Sequence, residues 1–424
     1  MPKTGTVANT GTVANPGTQP NTPVGRASGS GHVHAVDLVR VLTFACVIAV
    51  HTVATINPPG SIPAGGALML LHFTREAFFA LTAFVLVHRY HGGLHVAPFW
   101  RRRFLLVGVP YVLWSVIYTG LALTTAPLPP NETFSGALIQ LGHNLLTGTA
   151  WYHLYFLVVT MQFYLVFPLF LRLLRAAARW RDGHRWLLAI SAVLQVGIDT
   201  GLHFGHPSGV AAELLGYAGS FVGSYVLYLV LGGVAALHAE RVQSWVREHR
   251  VLVLVAFVLT GAATEAWYLR SVRGGSSPLD ASAVFQPAMV PWCVAVIAAL
   301  FALGVTWAAR RGAGPGSRVV KLSSDRSFGV FLVHPMVLWA LTLGPSAWLS
   351  TRVSALSVTI IALVTTIVVS LLVVEVLRHS PLCLALTGKP GSARARADRC
   401  PKVESCRFDL ADQAGRGADL RRMT

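Results

Sequence analysis

Long apolar runs follow one another along most of the chain and are separated by short polar segments. Runs of about 18 to 25 mostly apolar residues have the length that an α-helix needs to cross the hydrocarbon core of a bilayer. The pattern therefore predicts an all-α polytopic membrane protein with about ten transmembrane helices. The predicted spans are 36–56, 66–88, 104–124, 150–172, 186–203, 214–238, 251–269, 284–308, 328–346 and 353–376.

The polar segments between the runs alternate in charge. One set holds three basic residues, Arg270, Arg273 and Arg352. The other set holds seventeen, which are Arg89, Arg101, Arg102, Arg103, Arg172, Arg175, Arg179, Arg181, Arg185, Arg241, Arg247, Arg250, Arg310, Arg311, Arg318, Lys321 and Arg326. Because loops rich in Arg and Lys stay in the cytoplasm, the arginine-rich set is predicted to be cytoplasmic, and both chain termini with it.

Composition supports the membrane assignment and limits the partners. With 54% apolar and 12% charged residues, the chain differs from an ordinary soluble domain. A net charge of +17 would suggest nucleic acid on a soluble protein, but here the basic residues lie in short loops, where membrane orientation explains them. The predicted partners therefore include a lipid bilayer and exclude nucleic acid. The five cysteines lack paired spacing, so neither a disulfide framework nor a metal site is predicted.

The two ends of the chain have a different character from its centre. Residues 1–35 include a tandem TGTVAN repeat without the apolar stretch of a signal peptide, and residues 389–424 are polar and basic. Such segments cannot bury a core, so both are predicted to be disordered cytoplasmic tails around a ten-helix domain over residues 36–388. Residues 126–150, which contain PLPPNETF, are predicted to form a cap or re-entrant segment over the outer mouth.

Two ionisable residues interrupt the first apolar run. Arg40 and His51 are eleven residues apart, which on a helix separates them by about 20° in azimuth and roughly 16 Å along the axis. They therefore lie on one stripe of the first span, with Arg40 in the inner part of the bilayer and His51 in the outer half. Ionisable side chains inside a span face a cavity or a partner, which points to function.

Other roles are open to each residue alone. Arg40 could extend to the inner interface or pair with Asp37, and His51 could be a buried imidazole with its hydrogen bonds satisfied. A neutral imidazole in a partly desolvated cleft can also take a proton from an alcohol, and a guanidinium can hold a phosphate or polarise a carbonyl. The pair is thus compatible with chemistry carried out across a membrane.

Six motifs in chain order resemble those of the acyltransferase-3 family of integral membrane O-acyltransferases. The first is Arg40, ten intervening residues and His51, preceded by Asp37. The others are FFALTAFVL at 78–86, FWRRRFLLVGVPYVLWSVIY at 99–118, WYHLYFLVVTMQFYLVFPLF at 151–170, and SFGVFLVHPMVL at 327–338 followed by SPLCLALTG at 380–388. The resemblance covers residues 36–388. The family's second basic residue at the start of the third span falls here on Leu106, and its Ser-Gly-Phe is Thr82-Ala83-Phe84.

The resemblance implies transfer of an acyl group, commonly acetyl, from cytoplasmic acyl-CoA to a hydroxyl of a sugar, a glycan or another acceptor. Acyl-CoA would be a co-substrate, with no bound cofactor, and the protein would lie in the cell membrane. By position, His51 would be the general base, and Arg40 would support the donor or the oxyanion, with Asp37 as part of the same catalytic signature. Arg101, Arg102 and Arg103 would supply cations for the phosphates of CoA.

Three further residues are predicted to line the site. His334 matches the family's late histidine, and Trp151 and Tyr155 lie at the outer end of the fourth span, where an aromatic belt or carbohydrate stacking would use such rings.

A transporter or flippase that exports a glycan or lipid is the alternative function, since its tunnel would look similar. Transporters frequently contain inverted repeats, and no convincing internal repeat is present in this sequence.

Overall fold

The computed structural model describes residues 34–125, 134–205, 207–312 and 314–389, and within them the chain is helical, without a strand. The helices are α1 His34–Ile56, α2 Ile62–Leu71, α3 Thr74–Tyr90, α4 Val96–Thr125, α5 Phe134–Thr147, α6 Tyr155–Ala177, α7 Gly183–Phe204, α8 Val210–Gly216, α9 Val226–Leu237, α10 Ala239–Glu248, α11 Arg250–Arg273, α12 Pro278–Ala281, α13 Met289–Arg310, α14 Pro315–Thr342, α15 Pro345–Ser350, α16 Ala355–Leu377 and α17 Cys383–Thr387. Nearly all of both predicted tails, and residues 126–133 of the predicted cap, lie outside the described residues.

Eight segments of the described chain are helical, long and apolar enough to cross a membrane. One of them combines α2 and α3, and the other seven are α1, α4, α6, α7, α11, α13 and α16. A ninth span results if 222–237 and α10, which meet at an angle of 96°, count together. This confirms the predicted all-α polytopic class.

The predicted count of ten spans needs two corrections. The ninth predicted span lies in α14, and only the second half of this helix is apolar. Its first half carries four charged residues, Arg318, Lys321, Asp325 and Arg326. The sixth predicted span, 214–238, is divided among α8, two 3₁₀ turns (Ala218–Ser220 and Val222–Tyr225) and α9. Its membrane-spanning part is therefore shorter than the apolar run suggested.

The predicted fourth span, 150–172, corresponds to α6, which begins five residues later, at Tyr155. The last turn of α5 lies level with the middle of α4, because the Tyr111 hydroxyl donates a hydrogen bond of 2.8 Å to the Leu145 carbonyl. Between α5 and α6 the chain turns at Gly148, whose φ of 80° suits glycine and whose missing β-carbon would collide with the Tyr155 backbone. Irregular backbone at this depth is tolerated where it is buried in protein or lines a cavity. The irregular segment 148–154 thus places His153 and Leu154 in the interior of the bundle, while Tyr152 stays half-exposed.

Helix α1 is surrounded on several sides, since it packs against α2, α3, α13, α14 and α16. Helices α3 and α9 make an especially close pair. A β-carbon on Gly232 of α9 would collide with the Ala80 backbone of α3. Glycine is required at this crossing because membrane helices approach closely only where small residues meet.

Substitution of Gly232 with alanine is therefore expected to destabilise the bundle. The added methyl must push α3 and α9 apart, and overpacking of this kind costs about 1–3 kcal/mol. Purified Gly232→Ala protein should show a lower apparent melting temperature than the parent in the same detergent. Gly120→Ala in α4 is the matched control, since nothing lies within 4 Å of a β-carbon there. Equal melting temperatures for the two variants would contradict the close crossing.

Candidate functional site

One side of α1 borders two separate cavities. Arg40 lines the first, which has a volume of about 200 Å³, and His51 lines the second, which has a volume of about 50 Å³. We call them the inner and the outer cavity, after the predicted depth of the two residues. The predicted stripe is therefore present, but its two ionisable residues open into different spaces.

Cations from three parts of the chain line the inner cavity. Arg40 comes from α1, Arg103 from the start of α4, and Lys389 from the segment after α17. Arg103 also lies 5.5 Å from the centre of the Tyr164 ring, and Lys389 forms a 3.0 Å ion pair with Asp325. Three positive side chains around one cavity favour a ligand with several negative charges, such as a phosphate group.

Imidazole rings and one guanidinium surround the outer cavity. His51, His72, Arg75 and His153 line it together with apolar side chains. His334 lies behind His51, with the two rings stacked at 5.4 Å between centroids, and the His153 ring is 5.5 Å from His334. This cavity offers imidazole nitrogens that can accept a proton from a hydroxyl or donate a hydrogen bond.

The hydrogen bonds of His334 define which of its nitrogens is free. Its Nδ1 lies 2.8 Å from the Phe331 carbonyl, and a carbonyl only accepts hydrogen bonds, so Nδ1 carries the proton. Nε2 then presents a lone pair, and it has no hydrogen-bond partner among the described residues. Both nitrogens of buried His153 also lack a partner within the described chain. Buried polar atoms are normally satisfied, so these nitrogens have hydrogen-bonding capacity to spare, and of the two residues His153 lines the outer cavity.

A pair of phenylalanines separates the two cavities. Phe44 of α1 and Phe78 of α3 are the two residues that line both of them, and their rings meet edge to face at 5.4 Å. Phe331 packs on Phe44 at 5.9 Å and Phe156 packs on Phe78 at 4.4 Å. We call Phe44 and Phe78 the aromatic partition. A path from one cavity to the other passes between these two side chains.

Arg75 lies between the aromatic partition and the outer loops. Its Nη1 donates a hydrogen bond of 3.2 Å to the Tyr155 hydroxyl, and the guanidinium is 5.1 Å from the centre of the Phe285 ring. Glu76 is the nearest carboxylate, with 4.0 Å between Nη2 and Oε1, which is too long for a hydrogen bond. Arg75 is therefore a largely buried cation with donors to spare.

The remaining predicted site residues line neither cavity. Arg101 and Arg102 are exposed and line neither cavity. Asp37 is buried at the inner end of α1, where its Oδ1 accepts a 3.0 Å hydrogen bond from Ser324. Trp151 stacks on Tyr118 with 5.0 Å between ring centroids. The Tyr155 hydroxyl accepts a hydrogen bond from Arg75, which lines the outer cavity.

The predicted site residues do not include Lys389, His72, Arg75 or His153. For Arg75 the sequence favours an internal ion pair or a link to Glu213, with acceptor binding as the alternative, and for His153 it favours an aromatic belt, with carbohydrate stacking as the alternative. Lys389 belongs to the predicted basic tail, and His72 lies at a helix end. An available signal was the rarity of ionisable residues within apolar runs, which applies to His72 and Arg75. No three His, Cys, Asp or Glu side chains within the described ranges are arranged to hold a metal ion.

Comparison with known proteins identifies the family. A family model described as an acyltransferase domain, that of the acyltransferase-3 family, matches residues 33–375. Neither the curated proteins nor the solved structures gave a match. The matched region includes every helix that lines the two cavities and ends before Gly388 and Lys389, which line the inner one. The chain belongs to the acyltransferase-3 family and is a multi-pass membrane enzyme that transfers acyl groups other than amino-acyl groups.

Proposed function

We propose that the protein moves an acyl group, acetyl in the first instance, from cytoplasmic acyl-CoA to a hydroxyl of a sugar, glycan or other acceptor at the outer side of the cell membrane. The observation that carries this proposal is the pair of cavities along α1. A cationic cavity and an imidazole-lined cavity share two side chains, Phe44 and Phe78. This arrangement suits a donor and an acceptor that approach from opposite faces.

The inner cavity has the charge that a CoA donor requires. CoA carries several phosphate oxygens, and Arg40, Arg103 and Lys389 come from three separate elements around the cavity. Arginine suits phosphate because its planar guanidinium donates two parallel hydrogen bonds. The seventeen basic residues of the arginine-rich segments support a cytoplasmic position for this side and for both termini.

The aromatic partition suits the passage of the thioester. The pantetheine arm of CoA is long, narrow and largely uncharged, so it can pass between two rings that would exclude the phosphates. Passage requires the Phe44 and Phe78 side chains to rotate apart while the arm enters. In this route the phosphates stay in the inner cavity, and only the acyl end of the donor enters the outer one.

The outer cavity supplies the acceptor with a base. His51 would take the proton of the attacking hydroxyl, as the resemblance also implies, while His334 stacks behind it. Near these rings, Trp151 and half-exposed Tyr152 offer flat aromatic faces to a sugar, and Tyr152 lies 4.6 Å from the His51 ring.

Release of CoA tests the proposed function directly. Membranes or nanodiscs that contain the protein are mixed with acetyl-CoA and a panel of hydroxyl acceptors, and free thiol is measured over time. An acyltransferase releases one CoA for each acyl group transferred, whereas an exporter or flippase releases none. Absence of protein-dependent CoA release with acetyl-CoA and with longer acyl-CoAs would contradict the proposal.

Arg103 and Arg101 provide a matched pair for the donor site. Arg103 lines the inner cavity, whereas Arg101, two residues earlier on α4, is exposed. We expect Arg103→Gln to raise the KM for acetyl-CoA by about 10-fold, because a hydrogen bond to a charged group contributes about 1.5–3 kcal/mol. Arg101→Gln should leave this KM unchanged. Equal rises in this KM for the two variants would show that donor binding depends only on the overall charge of this segment.

A further inference from the structure

Acyl transfer needs a group that stabilises the carbonyl oxygen of the thioester while it carries negative charge. Hydrogen-bond donors held about 2.7–3.1 Å from that oxygen usually supply a large part of the rate enhancement. The base must reach the attacking hydroxyl, whose oxygen forms a bond to the carbon of that same carbonyl. The oxyanion donor and His51 therefore have to border one small space. This requirement rests on the proposed function.

Arg40 does not meet this requirement. Eleven residues of helix place it roughly 16 Å from His51 along the axis of α1. It lines the inner cavity, on the far side of Phe44 and Phe78 from His51. A guanidinium in that position can hold the body of the donor but not the reacting carbonyl, so the oxyanion requires another partner.

Arg75 has the position that Arg40 lacks. It lines the outer cavity together with His51, and it is the guanidinium group of that cavity. Phe78 of the partition follows Arg75 by three residues on α3, which is about 4.5 Å of helix, whereas Phe44 precedes His51 by seven residues on α1, about 10.5 Å. An acyl group that passes the partition thus meets Arg75 before it reaches the level of His51.

The surroundings of Arg75 leave its donors available. Of its five N–H donors, one has a hydrogen-bond partner among the described residues, the Tyr155 hydroxyl at 3.2 Å, and Glu76 Oε1 lies 4.0 Å from Nη2, beyond hydrogen-bond distance. Nη2 is buried and has no hydrogen-bond partner among the described residues. The rings of Tyr155, Tyr225 and Phe285 lie 5.1 to 6.0 Å from the guanidinium carbon and limit its movement. A held cation with unused donors in a water-poor space is suited to an oxyanion.

We propose that Arg75 is a catalytic residue that stabilises the oxyanion of acyl transfer. The acceptor oxygen forms a bond to the thioester carbon while its proton moves to His51, and the carbonyl electron pair moves onto oxygen beside the Arg75 guanidinium. When the carbonyl re-forms, the carbon–sulfur bond breaks, and the departing CoA thiolate takes the proton from His51. Arg40 binds the phosphates of CoA, which keeps the donor in place, and does not contact the reacting carbon.

Kinetics of Arg75 variants test this role. The donor is acetyl-CoA, and the acceptor is the panel member that the wild-type protein uses, or water if hydrolysis is the measured reaction. We expect Arg75→Gln to lower kcat by about 10²–10³-fold with little change in the KM for acetyl-CoA, as for removal of an oxyanion donor. Added guanidinium should restore part of the activity of Arg75→Ala, whose cavity admits that ion.

Two controls separate this role from folding. Stabilisation of the protein by CoA against heat reports on the inner cavity and should persist in Arg75→Gln. Arg270→Gln removes an exposed arginine near the end of α11 and should behave as wild type. If Arg75→Gln does not fold, Tyr155→Phe is the second variant, because it removes only the oxygen that positions Nη1. A smaller fall in kcat is expected for it.

Several outcomes would overturn the proposal while the proposed function stands. One is a wild-type kcat in Arg75→Gln, or in Tyr155→Phe if that variant alone folds. Another is a raised KM for the acceptor alone, which would make Arg75 a binding group for an acidic acceptor. Failure of guanidinium to restore any activity to folded Arg75→Ala would also count against it. By contrast, absence of CoA release from the wild-type protein would reject the proposed function itself.

Discussion

Replacement of His51 with glutamine is expected to abolish acyl transfer. General base catalysis by a positioned side chain contributes about 10²–10⁴-fold, and glutamine keeps much of the shape and polarity of histidine but cannot accept a proton. The loss should appear in kcat, because the inner cavity, where we propose that the donor binds, is unaffected. The measurement is release of CoA from acetyl-CoA by purified protein in nanodiscs.

Two other histidines make the His51 experiment specific. His249→Gln removes an imidazole that stacks on Trp245 at the junction of α10 and α11, away from both cavities, and should leave kcat unchanged. His334→Gln tests the ring that stacks on His51 and presents a free Nε2. Full turnover by His51→Gln, together with loss in His334→Gln, would assign the base to His334 instead.

Replacement of Arg40 with glutamine is expected to raise the KM for acetyl-CoA by about 10- to 100-fold. The side chain lines the inner cavity, and loss of a charge-assisted hydrogen bond to phosphate costs about 1.5–3 kcal/mol of binding. At saturating donor the variant should retain much of its kcat, since Arg40 is remote from His51. Initial rates over a wide range of acetyl-CoA concentrations separate the two parameters.

Arg318 controls for the charge of the cytoplasmic segments. It is exposed in the first turn of α14 and lines neither cavity, so Arg318→Gln should not change the KM for acetyl-CoA. Arg40→Lys retains the charge but loses the two-pronged hydrogen bonding, and an intermediate KM is expected. A fall in kcat at unchanged KM in Arg40→Gln would contradict donor binding and return Arg40 to the chemical step.

The sequence predicted the helical bundle well, because span length and helical period are local properties. Arg40 and His51 are close in sequence, so a single helix sufficed to place both on one stripe of α1. The errors arose where local composition misleads. Helix α14 combines a polar first half with an apolar second half, and the chain before α9 folds into 3₁₀ turns, so neither matches a simple apolar run.

The membership of the two cavities was less predictable, because it depends on contacts between distant segments. Lys389 comes from the far end of the described chain to join Arg40 and Arg103. His153 reaches the outer cavity from the irregular segment between α5 and α6, whereas the sequence predicts a span that already begins at residue 150. The separation of the cavities was also not foreseen, since periodicity gives the face of a helix but not the side chains that fill the space beside it.

The aromatic partition has an electrical consequence for the cell. A continuous water-filled passage through a bundle of this kind would conduct protons and dissipate the potential across the bilayer, which is worth about 2.3 kcal/mol per elementary charge at 100 mV. The meeting of Phe44 and Phe78 interrupts such a passage between the inner and the outer cavity. On the route that we propose, acyl groups pass this partition while ions remain on their own side.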